Sequence, residues 1–494
     1  MTLLTFALIL LGALGLGIAS RLGMKKADIE DYLVAGRSFG GLLVFVLAVG
    51  EVYSIATIVG FPGGIYAQGA SYGIWFMGYI LLAYPLGYFL LPLIWRAGKR
   101  YGASTYPDVF RGHFGSRGLE LVVAIASIVF LIPWGQLQLT GLQVVFEALD
   151  LPISPDLAAV LGAAAAFGFI VLSGVRAPAF VSLVKDVVLI VAVLAVGIAA
   201  VAAVKGVPAL FESARATPAS VTMSGDAFRF SWTTILFQAA AFYMFPFFAL
   251  AIFSGRSERT VKRTQTFMPM YMVMYPFLVF ASFYAIETVP GLEGAKANTA
   301  FMTVAQDLTS DWILGIVAGA AALSAIVVLT VGSLVIGALI SRNVLPGLSQ
   351  SRQRRTTQGV VLAYLGVSLL LTLATPKLMV TIMNTAYFGV GQFLPCMLIV
   401  LFGGRFRPAA IAAGIVVGDL LAIVLDQLDV AAAGINLGLI ALAVNCLMLA
   451  VSRLLWPEPD PPEPIAAIVA RGRRERRGRR ERPPLPAQPP AGAR

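Results

Sequence analysis

A carboxylate lies in an apolar part of the chain, where placing a charged group costs free energy. Glu51 stands about ten residues into an apolar run at about residues 41–66. At about 1.5 Å per residue it would lie about 15 Å along a helix, near the middle of a bilayer. A charged group at that depth marks a functional site, because it can exchange a proton or bind a cation. We therefore treat Glu51 as a candidate coupling residue.

Hydroxyl groups and helix-breaking residues follow this carboxylate. Tyr53, Ser54 and Thr57 offer three hydroxyls. Gly60 and Pro62 come next, and because proline removes a hydrogen bond of the helix, a break is predicted in this span. Irregular backbone at such depth persists only where it lines a cavity or is buried in protein. A broken span with polar groups at half depth is typical of a binding site for a small solute.

The composition indicates a polytopic membrane protein. The 494 residues are 59% hydrophobic and only 12% charged, with a mean hydropathy of +0.86, so we predict an all-α fold. The single histidine, His113, and the absence of paired carboxylates at half depth leave no catalytic centre, so no enzyme activity and no bound cofactor are expected. Thirteen spans are predicted, at about 3–20, 41–66, 71–95, 119–147, 155–175, 178–204, 231–254, 266–287, 312–341, 358–374, 379–402, 408–425 and 434–454.

The placement of positive charge predicts the orientation. With the N-terminus outside, most of the 36 Lys and Arg residues fall in loops on the inner side, as the positive-inside rule requires. The first run has no positive charge before it and is followed by Arg21, Lys25 and Lys26, so it is predicted to be a retained span and not a cleaved signal. We expect a multi-pass protein of the cell inner (plasma) membrane with a cytoplasmic C-terminus.

A second interrupted span opens the second half of the chain. Pro246 follows Phe242 and Tyr243 in the middle of the seventh span, five spans after the first break. A repeat of five spans must reverse its direction in the membrane, which predicts two inverted halves, about 41–204 and 231–402, within a transmembrane domain of residues 1–455. Phe242 or Tyr243 would supply an aromatic wall to the site, unless these rings only pack against lipid or helices.

Other polar groups lie within the apolar spans. Gln136 and Gln138 in the fourth span contact either the solute or a neighbouring helix. Lys185 and Asp186 are neighbours near the inner end of the sixth span, and adjacent residues do not face each other on a helix. Lys185 is therefore predicted to snorkel and Asp186 to turn inward, as a structural ion partner or a coupling residue. Ser324 lies among small residues of the ninth span, which permit close packing or the approach of oxygens to a hard cation.

The chain changes character at Trp456. Proline and arginine dominate from there to residue 494, which predicts a disordered cytoplasmic tail that rests on anionic lipid. A tail tethered to thirteen spans is not expected to bind nucleic acid. Nothing in the sequence indicates a protein partner; the expected partners are a small organic solute, a coupling cation and the lipid bilayer.

Several motifs in order give the chain a family resemblance over about residues 30–455. It resembles the sodium:solute symporter family and, within it, the bacterial monocarboxylate permeases. The motifs are Tyr32-Leu33-Val34-Ala35-Gly36-Arg37, Gly50-Glu51-Val52-Tyr53-Ser54, Gly60-x-x-Gly63-x-x-Tyr66, Pro133-Trp134, Gln138-Leu139, Gly141-x-Gln143-Val144, Gly174-Val175-Arg176-Ala177-Pro178, Lys185-Asp186, Ser341-Arg342-Asn343-Val344 and Gln392-Phe393-Leu394-Pro395.

The resemblance implies a leucine-transporter-like core and inward symport of a small organic solute, a monocarboxylate, with sodium. It places sodium ligands on the backbone of Gly50 and Tyr53 and on Ser324. The family's paired hydroxyls fall here on Val327 and Val328, which carry no oxygen. A proton is therefore the alternative coupling ion, and a proton-coupled or uncoupled facilitator is the alternative function.

Overall fold

The computed structural model describes residues 1–20, 33, 35–150, 153–173, 175–215 and 221–471. These residues form helices and connecting turns, with one isolated bridge between Phe39 and Gly255. The helices are α1 (Thr2–Ala19), α2 (Gly41–Val52), α3 (Phe61–Gln68), α4 (Ala70–Tyr101), α5 (Tyr106–Phe114), α6 (Arg117–Ala148), α7 (Pro155–Ser173), α8 (Arg176–Ala203), α9 (Val207–Arg215), α10 (Gly225–Ala241), α11 (Pro246–Ser254), α12 (Glu258–Phe267), α13 (Tyr275–Thr288), α14 (Ala300–Leu308), α15 (Asp311–Ala338), α16 (Gln350–Ala374), α17 (Met379–Val390), α18 (Leu394–Phe402), α19 (Pro408–Gln427) and α20 (Leu437–Leu455).

The all-α polytopic prediction is confirmed. Within the described ranges, ten helices or helix runs are long and apolar enough to cross a membrane, and one further pair, α10 with α11, is bent by 52°. Two shorter apolar helices, Gly41–Gly50 and Pro155–Gly168, complete the set. Together these thirteen segments coincide one for one with the thirteen predicted spans.

The ninth span, α15, forms the centre of the bundle. Its most apolar window is 94% buried, against 17–78% for the windows of the other nine long spans. Small residues allow this: Gly315 lies against the backbone of Thr2, and Gly319 lies against Ile9, so neither position has room for a side chain. Between helices in lipid, such close approach replaces the hydrophobic drive that water would supply. Packing is therefore one role of the small-residue pattern.

Both predicted helix breaks are present. The helix α2 ends at Val52, Tyr53 leaves the helical region with φ −99° and ψ 77°, and a wide turn over Ala56–Gly60 leads into α3. In the seventh span, Phe245 is extended with φ −58° and ψ 127° immediately before α11 begins at Pro246. Proline is tolerated at that first helical position because its missing N–H would have no partner within the helix.

A short helix lies between the third and fourth spans. In α5, Thr105 and Asp108 form a capping box: the Thr105 hydroxyl accepts from the Asp108 N–H at 3.3 Å, and the Asp108 carboxylate accepts from the Thr105 N–H at 3.1 Å. The helix ends at Gly115, which adopts the left-handed conformation that suits glycine. This cap fixes the orientation of the Asp108 carboxylate.

The expectation of disorder from Trp456 onward is wrong for residues 456–471. Arg407 stacks over the Trp456 ring at 4.4 Å, and the Glu458 N–H donates to the Arg405 carbonyl at 3.2 Å. The chain then forms a helical turn at 465–471 whose Ile465 is buried in the main core. The high proline and arginine content of the tail hid this short apolar cluster. Residues 472–494 lie outside the described part of the chain.

Helix contact at Gly389 gives a test of the packing. A methyl group on Gly389 in α17 would overlap the ring of Phe130 in α6, whereas no atom lies within 4 Å of the corresponding position on Gly366 in α16. Gly389→Ala is expected to lower the free energy of unfolding by about 1–3 kcal/mol through overpacking. Gly366→Ala is the matched control and should leave the thermal midpoint in detergent unchanged or slightly raised. Equal midpoints for the two variants would contradict this packing.

The environment of His113 in α5 predicts a pH dependence. Burial, reinforced by the nearby Arg100, lowers the pKa of His113 to about 4, and the Tyr101 hydroxyl is 2.9 Å from Nδ1. An unfolded histidine titrates at about 6.5, so between about pH 6.5 and 4 the unfolded state binds more protons. The stability contributed by neutral His113 is complete above about pH 6.5 and is lost as the pH falls toward 4.

The measurement is the thermal midpoint against pH for the native chain and for His113→Gln. The native midpoint should fall more steeply across this window than the midpoint of His113→Gln, because only the native chain carries the histidine. The carboxyl groups titrate in both proteins and do not contribute to this difference. Parallel curves would show that His113 is not held neutral.

Candidate functional site

The third span passes both helix breaks. At the first break, the hydroxyl groups of Tyr84 in α4 and Tyr53 are hydrogen-bonded. At the second break, the ring of Tyr79 in α4 packs against Phe242, with ring centroids 6.0 Å apart. Because these contacts come from neighbouring turns of one helix, α4 brings the two breaks to the same depth.

The fourth span also touches both breaks. Gly141 in α6 lies against Ile55 so closely that a side chain there would overlap it. Two turns earlier, the indole of Trp134 packs against Phe245 at 4.9 Å. The helices α4 and α6 therefore hold the two irregular segments next to each other inside the bundle.

Aromatic rings fill the surroundings of the breaks. The Tyr53 ring stacks on Tyr271 at 4.9 Å and meets Tyr275 edge-on at 6.1 Å. On the other side, Tyr387 meets the Phe245 ring edge-on at 4.8 Å. The site is thus dry and aromatic, an environment in which every polar group needs a specific partner.

Two of the three predicted hydroxyl residues satisfy the backbone of the first break. The Ser54 hydroxyl accepts from the Ala56 N–H at 3.2 Å. The Thr57 hydroxyl donates to the Val52 carbonyl at 3.2 Å. Both side chains are buried. They stabilise the irregular turn directly, and contact with a solute is a further role that stays a prediction.

The two predicted glutamines have different environments. Gln136 directs its amide away from the breaks, donating to the Thr375 carbonyl at 3.1 Å and to the Thr375 hydroxyl at 3.2 Å at the end of α16. This is the helix–helix alternative. Gln138 is fully buried, and within the described part of the chain its Oε1 accepts no hydrogen bond. Gln138 therefore keeps a buried acceptor for a ligand, whereas the amide N–H groups of Gln136 are engaged with α16.

Trp134 is a site residue that the sequence analysis did not select. Its indole Nε1 is buried and donates to no group among the described residues. It lies one helical turn from Gln138, so an unused donor and an unused acceptor share one face of α6 beside the second break. The spacing of four between a tryptophan and a glutamine in an apolar span was the signal available in the sequence.

The predicted aromatic residues at the second break are both buried. The Tyr243 hydroxyl donates to Gln265 Oε1 at 2.5 Å, and the Tyr243 carbonyl accepts from the Tyr106 hydroxyl at 2.6 Å. Tyr243 therefore anchors the break to α12 and α5. Phe242, whose ring faces Tyr79, is the better candidate for a wall of the site.

The prediction that Lys185 snorkels is wrong. Its side chain is fully buried, and its Nζ lies 2.7 Å from Asp186 Oδ1 and donates to the Tyr53 carbonyl at 3.1 Å. The long side chain bends toward the first break, because α8 packs along α2 there. Its flexibility also lets it reach the adjacent carboxylate, which rigid spacing on a helix would not allow. Asp186 is thus in an ion pair, and the Tyr271 hydroxyl lies beside it.

The other residues predicted to bind or couple to a cation are Gly50, Ser324 and Glu51. A Cβ on Gly50 would be 3.0 Å from the Ser182 hydroxyl and 3.8 Å from Lys185 Nζ. The Ser324 hydroxyl donates to Ala320 of its own helix at 2.7 Å. Glu51 lies in the last turn of α2. The side chain of Glu51 lies outside the described part of the chain, as do Tyr32, Val34 and Gly174 of the family motifs.

The sequence analysis also missed a polar network at one end of the bundle, which we call the basic end. At this end α4 and α15 stop, α5 lies and α6 starts. Asn343 donates to Asp108 at 2.7 Å and to Glu120 at 3.0 Å. Arg342 lies 3.2 Å from Asp108, and Arg111 lies 2.9 Å from Glu120. A cavity of about 450 Å³ opens beside them. The network ties both halves of the chain together at one mouth of the bundle.

Two fractured helices that meet inside a bundle of apolar spans define a membrane transporter built on inverted repeats. The chain belongs to the sodium:solute symporter family, whose sequence model matches residues 32–418.

Curated relatives and a solved structure agree with this assignment. The chain is 29% identical to the uncharacterized symporter YhjB of Bacillus subtilis, over 90% of this chain and 95% of that protein. It is 27% identical to the monocarboxylate transport permease protein of Rhizobium johnstonii, over 79% and 81%. A Na+-coupled sialic acid symporter in an outward-open state shares the fold, with a TM-score of 0.76 at 13% identity, covering 94% of this chain and 98% of that one.

The two glutamines of α6 give a matched pair of variants. Gln136→Leu should lower the thermal midpoint, because it removes hydrogen bonds to α16 that are worth about 1 kcal/mol each. Gln138→Leu removes one weak bond to its own helix at 3.4 Å and an oxygen without a partner, so stability should change little. The measurement is thermal unfolding of the purified proteins in detergent. A larger loss for Gln138→Leu would reverse the assignment of the two residues.

Proposed function

We propose that the protein is a symporter that carries a small organic solute inward together with a cation, in the first place sodium, and that the solute is a monocarboxylate. The observation that carries the proposal is the meeting of the two breaks beside the unused donor of Trp134 and the unused acceptor of Gln138. The relative named as a monocarboxylate permease supports the solute class.

The second break offers features that suit a carboxylate. The helix α11 starts there, and the N-terminus of a helix carries partial positive charge. Trp134 stacks on Phe247 in the first turn of α11, with ring centroids 5.4 Å apart, which puts the indole N–H close to this helix end. A carboxylate would accept from the indole and be stabilised by the helix end, while Gln138 Oε1 would accept from a hydroxyl group of the same solute.

Transport follows from movement of the broken helices against the rest of the bundle. Breaks at half depth let the two pieces of a span tilt separately, so one mouth can open while the other is closed. The network around Asn343 closes the basic end, and its rupture would open a path to the cytoplasm. In this proposal the protein spans the plasma membrane with its N-terminus outside and its C-terminus in the cytoplasm, and it transports without catalysing a reaction.

A second candidate function rests on one observation. Val327 and Val328 replace hydroxyl residues in α15, and both are buried. A site with fewer oxygens favours a proton-coupled or uncoupled facilitator over a sodium symporter. The identity of the ion whose gradient drives uptake separates the two functions.

Uptake into proteoliposomes tests the proposal. Labelled acetate, propionate, lactate and pyruvate are offered under an inward sodium gradient, an inward proton gradient or no gradient. Saturable accumulation above the outside concentration is expected with the sodium gradient. Accumulation with the proton gradient alone supports the second candidate, and equilibration without a gradient supports a facilitator. No saturable entry of any of the four acids would refute the monocarboxylate assignment.

The same assay tests the site. Gln138→Leu should raise the solute concentration for half-maximal uptake by about three- to tenfold, the equivalent of one lost hydrogen bond. Gln143→Leu is the control, because Gln143 lies further along the same helix and donates to Asp156 at 2.8 Å. Equal effects of the two substitutions would remove Gln138 from the site.

A further inference from the structure

An ammonium group lies where the family resemblance places a sodium ion. The break at Tyr53 frees a backbone carbonyl, and oxygens of this kind are the ligands that hard monovalent cations prefer. In this structure the Tyr53 carbonyl accepts from Lys185 Nζ at 3.1 Å. The ammonium group carries the same single charge as sodium and brings its own donors. Two single positive charges at contact distance from one carbonyl oxygen would repel each other strongly.

The space at the break is shaped for the lysine. Gly50 has no side chain, and a Cβ there would come within 3.0 Å of the Ser182 hydroxyl and within 3.7 Å of Lys185 Cε. The α2 helix therefore leaves room for the end of the lysine side chain. Asp186 Oδ1, at 2.7 Å, supplies the counter-charge from the same helix.

The remaining oxygens do not build a sodium shell. Ser324 offers one hydroxyl, and Val327 and Val328 offer none although both face the protein interior. Sodium bound here would need to displace the ammonium group and leave it buried without its carbonyl partner, which is costly in a dry site. The residues present therefore do not fit a sodium ion at this position.

We propose that Lys185 is a tethered cation that takes the place of sodium at the first break, so that any sodium that drives transport binds elsewhere in the protein. The inference rests on the proposed function only in treating this break as the coupling region. The positive charge stays with the protein throughout the transport cycle. Lys185 then fixes the geometry of the break and excludes a free ion from it, so it determines which cations the protein can use.

The carboxylate of Asp186 makes the proposal testable. When one partner of a buried ion pair is removed, the other is left as an uncompensated charge. Lys185→Ala would therefore create a vacancy next to Asp186 and the Tyr53 carbonyl that attracts a small cation. The atoms removed correspond to n-propylammonium, which is the natural probe for that vacancy, with sodium as the second probe.

The experiment measures thermal unfolding of the full chain in detergent at constant ionic strength, with choline as the inert cation. Lys185→Ala should unfold at a lower midpoint than the native chain in choline. Propylammonium should restore at least half of that loss in a saturable manner, and sodium should raise the midpoint of Lys185→Ala more than that of the native chain. The double variant Lys185→Ala/Asp186→Asn should show neither gain, because it lacks the attracting charge.

Two results would overturn the proposal. One is a Lys185→Ala protein that responds to propylammonium and sodium no more than the native chain does. The other comes from Lys185→Met/Asp186→Asn, in which apolar and neutral groups of similar volume keep the fold intact even if Lys185→Ala does not fold. Its sodium response should equal that of the native chain, and a lost response would place a sodium ion at this pair.

These measurements do not depend on uptake. If no monocarboxylate is transported but Lys185→Ala is rescued, the proposed solute fails and the tethered cation stands. If uptake proceeds with sodium and Lys185→Ala shows no rescue, the transport function stands and the tethered cation fails.

Discussion

Peptide groups that leave a helix inside a membrane have no water to bind, and this constraint organises the protein. The Tyr53 carbonyl receives the Lys185 ammonium group, and the Val52 carbonyl receives the Thr57 hydroxyl. At the second break, the Tyr243 carbonyl receives the Tyr106 hydroxyl. Each unsatisfied group would cost several kcal/mol in lipid. The breaks persist because side chains from α4, α5 and α8 come to them, and those side chains define the site.

The same constraint explains the distribution of polar groups along α6. Gln136 serves the end of α16, where its amide N–H groups donate to Thr375 and stabilise the bundle. Trp134 and Gln138 keep one donor and one acceptor unpaired next to the second break. A buried polar atom without a partner is rare and costly in a finished protein. A solute that pairs with both would supply the hydrogen bonds that these two groups do not find within the described protein.

Buried charged side chains are neutralised in two places, by different sets of partners. At the first break, the buried Lys185 and Asp186 neutralise each other, and the ammonium group also fixes the backbone of the break. At the basic end, Asn343 joins Asp108 to Glu120, and arginines pair with both carboxylates. The first arrangement is enclosed, whereas the second lies beside a cavity. In the proposed transport cycle, the first would be the fixed centre and the second the mouth that opens.

The sequence by itself determined the apolar spans and the second break, because long apolar runs and Pro246 act through local backbone geometry. It also indicated that the second span is interrupted, but that break lies at Tyr53, and Gly60 and Pro62 are helical. It did not determine which polar side chains meet. Lys185 was expected at the membrane surface and lies in the core, and the stretch at 456–471 was expected to be disordered and docks through Ile465. Spacing along one helix shows which residues share a face. Which helix that face meets depends on contacts between distant segments, so only the tertiary structure assigned Gln136 to packing, left Gln138 with a free acceptor and placed Lys185 on the first break.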